Sequence, residues 1–386
     1  MRIIDADSHL YETRSLWTDH VPQAQRPLAL RIEDDEHGNA WLAFRDRRIE
    51  VLGVHEPGDV AQSGRFRERL RAGLPPEIPY DAMPAAFHDP VARVALLDRL
   101  GIDASIVFPN CGIMWERALG PDLEATRVNM AAWNRFAIEV AQTGRGRLHP
   151  VAHVTLRDPV WLERELHALA AAGIRLAMIA PALVDGRRLS HPDHERAWAA
   201  FADLGIAPVF HVAQVPPVFD DAWNEGDPDW SNPVLSSVFL WTAPALAIAD
   251  LAVRGVFARH PGLRLGVVEL LAGWLPGFLL MLDGGFAFHE SFNGAPLTPM
   301  ELRPSEYVRR QVRVAAFPFE APAQLARQAG DLFMFGSDYP HPEGLAHPLD
   351  DMRAACGGGP GALPGLFGGN AAWLLGLRSE RAATRP

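Results

Sequence analysis

Short apolar runs alternate with longer helical patterns along these 386 residues, and that alternation constrains the fold more than any other feature. Residues 2–7, 104–109, 148–153, 175–180, 207–211, 264–269, 312–317 and 332–337 have the length and composition of buried strands. Between them, residues 90–100, 122–142, 159–172, 192–204, 245–259, 275–288 and 322–328 carry apolar side chains three and four apart, as one face of a helix requires. Asp158-Pro159 and His191-Pro192 are helix start signals, and Gly173 and Gly205 stop signals. Eight strands alternating with these seven helices predict an α/β chain closed into a parallel (β/α)8 barrel of the TIM type.

Three stretches interrupt the alternation and read as insertions after strands 1, 5 and 6 of a single domain covering residues 1–386: about 12–88, 212–244 and 289–304. Within the first, residues 40–51 predict a hairpin. The second leaves the C-terminal end of the fifth strand, the catalytic face of such barrels, and reads as a lid or pocket wall.

Composition excludes whole chemistries. All 36 basic residues are arginine, so no protein amine can form a Schiff base, reach a phosphate from a P-loop, or be carboxylated to bridge two metals. The net charge of −11 argues against nucleic acid and anionic membrane as partners. Cys111 and Cys356 cannot make a disulfide framework, which suggests a reducing compartment. The N-terminus begins with a strand pattern rather than a signal peptide, and residues 238–257 are interrupted by Pro244, Asp250 and Arg254. The expectation is a cytoplasmic protein with a small-molecule substrate.

Barrel enzymes carry their reactive groups at the C-terminal strand ends. Those ends read Asp7-Ser8-His9, Asn110, His153, Pro181, His211, Glu269, Phe317 and Ser337-Asp338. Two histidines and three carboxylates therefore gather on the first, fifth, sixth and eighth strands. The first and eighth are neighbours in a cylinder, and the strand period of two puts Asp7 and His9 on one face. Imidazole nitrogen and carboxylate oxygen suit Zn²⁺ or Mn²⁺. Chance placement at four suitable ends is hard to accept for Asp7, His9, His211 and Asp338 together. A single histidine such as His153 is read as a packed core residue, and His191 and His194 as residues before a helix.

The segments Ile3-Ile4-Asp5-Ala6-Asp7-Ser8-His9-Leu10-Tyr11-Glu12 and Phe335-Gly336-Ser337-Asp338-Tyr339-Pro340-His341-Pro342-Glu343-Gly344 resemble the two ends of an amidohydrolase-related protein. The likeness is to the branch of aminocarboxymuconate-semialdehyde decarboxylase and the resorcylate-type decarboxylases. His211, the run His260-Pro261-Gly262-Leu263-Arg264 and the closing Gly368-Gly369-Asn370-Ala371-Ala372 fit the same pattern. The resemblance implies one divalent ion held by Asp7, His9, His211 and Asp338, no organic cofactor, and a homodimer. Two departures stand out. The first-strand motif usually reads His-x-His or Glu-x-His, and here it is Asp7-x-His9. On the sixth strand the branch's decarboxylases carry a histidine where this chain has Glu269.

A metal lowers the pKa of bound water from about 16 toward about 7. Asp338 is then a candidate acid/base, and Glu269 a second one, a further ligand, or an anchor for a substrate cation. A carboxylate at position 269 repels an anion, which favours hydrolysis of an acyl or aromatic substrate. The alternatives are non-oxidative decarboxylation of an aromatic or unsaturated acid, and an inactive ligand-binding barrel. Trp223, Trp230, Phe239 and Trp241 are candidates for an apolar pocket wall, or pack their loop onto the barrel. Glu12, His341 and Glu343 are candidates to contact the ligands or the substrate.

Overall fold

The computed structural model describes residues 2–49, 69, 72–111, 114–212, 221–224, 234–341, 343–359 and 361–377. Eight parallel strands form one sheet in chain order: β1 Ile4–Leu10, β2 Ala104–Pro109, β3 Leu148–His153, β4 Leu176–Met178, β5 Ala207–Phe210, β6 Leu265–Val267, β7 Val312–Ala316 and β8 Phe333–Phe335. The ring is nearly closed by backbone bonds beyond the end of β8, where His9 N–H donates to the Tyr339 carbonyl at 2.7 Å. Asp338 N–H likewise donates to the Asp7 carbonyl at 2.9 Å. This is the (β/α)8 barrel expected from the alternation.

Strands buried on both faces read as continuous apolar runs, which is why residues 104–109 and 148–153 stand out so clearly in the sequence. Ala6, Ile106, Val151, Met178, Val209 and Met334 pack inside the barrel. A larger cluster fills the layer between strands and helices, with Leu166, Trp198, Phe201, Ile248, Phe257 and Phe335 all buried. The helices follow the sequence pattern, as at Pro90–Leu100, where the Asp89 side chain caps the Val91 N–H and Pro90 occupies the first turn.

The differences lie between the strands. The excursion after β1 builds a three-stranded antiparallel sheet from Leu30–Asp34, Ala40–Phe44 and Arg47–Arg48 rather than a lone hairpin. The helix after β6 runs from Leu275 to Asn293, past the expected end at residue 288, so only 294–303 remain as a connection to Pro304–Gln311. Residues 234–253 have the length and apolarity to cross a membrane, with a mean hydropathy of 1.7. They form two helices, Val234–Val238 and Thr242–Val253, and the second buries Ile248, Leu251 and Ala252 against the barrel.

Candidate metal centre

The polar groups stand where strands end. Between Asp5 and Ser8, β1 takes three steps while β2 takes two, from Ser105 to Val107, so one extra residue bulges into the pairing. Such bulges re-aim side chains, and this one lies directly beneath Asp7 and His9. Gly336 lets β8 approach at the same level: a Cβ there would stand 2.7 Å from the Asp7 Cβ. Glu269 and Asp338 have left-handed backbones, with φ of 57° and 54°. Non-glycine residues in that region cost about 1–3 kcal/mol and cluster at functional sites.

The imidazoles are oriented from behind. His9 Nδ1 faces the Pro109 carbonyl at 3.2 Å, which places the ring proton there and leaves Nε2 for the barrel mouth. His211 stands just beyond β5 with its ring 4.3 Å from that of Phe108. His9 Nε2 is 3.4 Å from Asp7 Oδ1, 3.2 Å from Asp338 Oδ1 and 3.6 Å from Glu269 Oε2. His211 Nε2 is 3.6 Å from Asp7 Oδ1 and 3.1 Å from Glu269 Oε2.

Despite these approaches, Asp7 Oδ1, His9 Nε2, His211 Nε2 and Asp338 Oδ2 are buried without a hydrogen bond. A buried orphan of this kind costs about 1–3 kcal/mol, and those of Asp7, His9 and His211 converge with Glu269 on one spot. Donors about 2.1 Å from a shared ion stand about 3.0–3.4 Å apart, close to the spacings here. One donor atom from each of Asp7, His9, His211 and Glu269 lies within 4.8 Å of all the others, and His9, Glu269, Asp338 and His341 make an overlapping set. The residues present thus fit a single divalent cation.

A second layer holds these groups in place. His341 bridges Asp338 Oδ1 and Asn110 Oδ1, at 2.8 Å each, and stacks on His9 with centroids 3.9 Å apart. Asp5 accepts from Ser337 Oγ at 2.6 Å and from the Ser337 and Asp7 N–H groups. Buried Arg93 donates to the His9 carbonyl at 2.5 Å and the Ala86 carbonyl at 2.7 Å, with Tyr339 against its guanidinium. Glu12 is buried, and its Oε1 accepts from the Cys111 N–H at 3.0 Å.

Burial and neighbours drive the carboxyl groups apart. Burial pushes Asp5 and Glu12 up to about 7, against partial relief from their hydrogen bonds. Burial also raises Glu269, reinforced by the Asp338 charge. For Asp338 burial is outweighed by His341 and His9, which hold it well below the usual carboxylate range. Asp7 is likewise lowered by His211 and His9 against its burial. His9 is raised well above its ordinary value: burial opposes this, but Asp338, Asp7 and Glu269 prevail.

A cavity of about 630 Å³ opens over Glu269 and Asp338, and its apolar wall includes Phe317, Phe319, Leu240 and Leu345. The candidate wall from the fifth-strand connection is placed differently. Trp223 is 71% exposed and Phe239 41% exposed, and neither lines this cavity. Trp241 stacks on Trp274 with centroids 6.3 Å apart, packing its segment onto the barrel. Trp230 lies outside the described residues. Glu343 lines the cavity; Glu12 does not, and His341 acts on Asp338 from the side. His153 is buried with its Nε2 3.4 Å from Glu116. Asp5, Arg93, Asn110, Ser337 and Asp351 were given no role by the sequence. Asn110 and Ser337 stood at strand ends and Asp5 shares the strand parity of Asp7 and His9, whereas Arg93 and Asp351 carried no signal.

The amidohydrolase family model matches residues 34–377, and the chain belongs to that family. Among solved structures it is similar to an amidohydrolase from Mycobacterium avium subsp. paratuberculosis K-10, with 27% identity, TM-score 0.78, and coverage of 97% of this chain and 99% of that one. It shares the fold of 5-carboxyvanillate decarboxylase from Novosphingobium aromaticivorans DSM 12444, complexed with manganese and 4-hydroxy-3-methoxy-5-nitrobenzoic acid, at 18% identity, TM-score 0.65, and coverage of 97% and 96%. It also shares that of 2,6-dihydroxybenzoate decarboxylase from Rhizobium, at 17% identity, TM-score 0.63, and coverage of 97% and 99%. No curated protein matches. Membership of the amidohydrolase family marks this chain as an enzyme, and the solved neighbours share its fold.

Proposed function

We propose that this enzyme hydrolyses a small neutral or cationic acyl substrate with one divalent ion, Mn²⁺ or Zn²⁺, held by Asp7, His9, His211 and Asp338. The observation that carries this reading is Glu269. It brings a third carboxylate to the donor set, 3.1 Å from His211 Nε2, where a decarboxylase of this branch has a histidine. Three carboxyl groups around a divalent ion leave no net positive charge to draw in a substrate carboxylate, whether or not Glu269 holds its proton. When bound, the ion supplies Lewis acidity and lowers the pKa of a coordinated water toward neutrality.

The rest is done by side chains. Asp338 is ionised, with Oδ1 engaged by His341 and Oδ2 without a partner, so Oδ2 accepts the proton of the attacking water. Glu269, raised by burial and by Asp338, is the group suited to hold a proton and deliver it to the leaving atom. Carboxyl groups whose environments push their pKa values apart divide base and acid roles in this way. Phe317 and Phe319 limit water access and seat the apolar part of the substrate.

The second reading is non-oxidative decarboxylation, favoured by the decarboxylases among the solved neighbours, which bind manganese and hydroxybenzoate-type ligands. The test uses the manganese- or zinc-loaded protein with two panels: neutral esters, lactones and amides, and the acids 5-carboxyvanillate and 2,6-dihydroxybenzoate. Hydrolysis in the first without CO₂ in the second supports our reading. CO₂ release from either acid replaces it with the second. We further propose that the protein is a homodimer.

A further inference from the structure

We propose that the mouth of this site selects a substrate bearing a cationic group, such as a substituted ammonium, held between Glu343 and Asp351 against the face of Phe319. The proposal deepens the hydrolytic reading by naming the charge of the substrate, and it rests on the same site. Among the described residues, the cavity above the metal donors is lined by four carboxylates, Glu269, Asp338, Glu343 and Asp351, and by no arginine or histidine. In a chain with 36 arginines that is a strong asymmetry.

Carboxylates elsewhere are commonly paired: Asp34 and Asp81 share Arg14, Glu195 takes Arg259, and Asp350, next to Asp351, takes Arg353. Glu343 and Asp351 have no ion-pair or side-chain hydrogen-bond partner among the described residues. Deeper in the same cavity, Asp338 Oδ2 is buried and without a partner. The cavity thus runs from an orphaned, buried acceptor at its floor to two unpaired carboxylates at its rim.

The charge balance points the same way. With a divalent ion against Asp7, Asp338 and the proton-holding Glu269, the centre carries no net positive charge, and Glu343 and Asp351 add two negative charges at the rim. A substrate anion would meet repulsion along its whole entry path, whereas a cation relieves it. Phe317 and Phe319 stack with rings 5.7 Å apart, 12° from parallel, and Phe319 is 78% exposed. An exposed ring beside carboxylates attracts ammonium groups through its electron-rich face. Asp351 is half-buried on the helix Pro348–Cys356 and Glu343 is at the exposed rim, so the two can grip a headgroup while its stem reaches Glu269.

The test is calorimetric binding of benzyltrimethylammonium to the metal-loaded protein, compared with its neutral isostere neopentylbenzene and with benzoate. The cation is expected to bind about ten-fold or more tighter than either, a difference of about 1.4 kcal/mol. Glu343→Gln and Asp351→Asn are each expected to weaken the cation several-fold, and the double variant about ten-fold or more, while metal content and melting temperature stay at wild-type values. No measurable cation binding, equal binding of the isostere, tighter binding of benzoate, or unchanged affinity in the double variant each overturns the proposal. CO₂ release from hydroxybenzoates would sink the hydrolytic reading alone, since the charge preference is read here without turnover.

Discussion

At the scale of single residues, the strand-end groups were legible because a barrel gives each strand end one address. Asp7, His9, His211, Glu269 and Asp338 follow from counting strands, and the structure gathers them in two overlapping groups that share His9 and Glu269. Their supports were not legible. Arg93 comes from a helix, and Asn110, though named by the strand-end count, acts through His341, 231 residues away; no local pattern marks such a partnership. The left-handed backbone of Glu269 was equally hidden, since nothing in its neighbours demands it. Two predictions belong here. Glu269→Gln keeps the size of the side chain but cannot hold the delivered proton. It is expected to lower turnover of a hydrolysed ester about 10²–10⁴-fold while metal stoichiometry stays near one. Unchanged turnover removes the role assigned to Glu269. The second concerns Glu12, whose folded pKa of about 7 lies above its ordinary value of 4.5. Between those values the folded state keeps a proton that the unfolded state releases, so stability falls as pH rises from about 4.5 through about 7 and then levels. Glu12→Gln keeps the acceptor for the Cys111 N–H and removes this loss. It should raise the stability of the metal-free protein at pH 8 by up to about 3 kcal/mol and leave it unchanged at pH 4. Denaturant titrations at the two pH values decide.

At the scale of elements, the eight strands and the helices between them were read to within a few residues, because burial on both faces leaves a run that little else imitates, whereas the helices Pro304–Gln311 and Pro348–Cys356 were not read. The failures have physical causes. Leu30–Asp34 has only Leu30 and Ile32 as apolar residues and an exposed acidic end, too short a signal to count as a strand. The helix Leu275–Asn293 outran its expectation because Gly284, Gly285 and the exposed Phe288 and Phe292 break the amphipathic pattern. The meeting of β1 and β8 depends on a close approach that the sequence displays only as one glycine. A Cβ at Gly336 would lie 2.7 Å from the Asp7 Cβ, with backbone on both sides and little room to yield. Gly336→Ala is therefore expected to cost about 1–3 kcal/mol and to weaken metal binding by displacing Asp7. Gly277→Ala, on a helix with nothing within 4 Å of the added carbon, should do neither. Paired measurements of melting and metal content separate the two; wild-type metal affinity in Gly336→Ala would break the link between this approach and the centre.

At the scale of the whole molecule, the barrel explains where the site is, but not why one flank is so apolar. Leu280, Met281, Phe288 and Phe292 on the helix Leu275–Asn293 are 77%, 65%, 69% and 79% exposed, and Leu246 on the neighbouring helix Thr242–Val253 is 65% exposed. Phe288 and Phe292, one turn apart, stack with centroids 5.9 Å apart. A contiguous apolar surface of this kind on a folded protein marks a place of association. The net charge of −11 opposes an anionic lipid surface as the partner. A second copy of the chain brings an identical apolar face, and a two-fold axis lets one patch cover the other. The expected outcome is a dimer in sedimentation velocity at micromolar concentration. The variant with both Phe288→Glu and Phe292→Glu should be a monomer that keeps its metal, because charge on that face opposes the contact and the helix lies away from the donors. A wild-type monomer, or a double variant that remains dimeric, would show that this face is not where the copies meet.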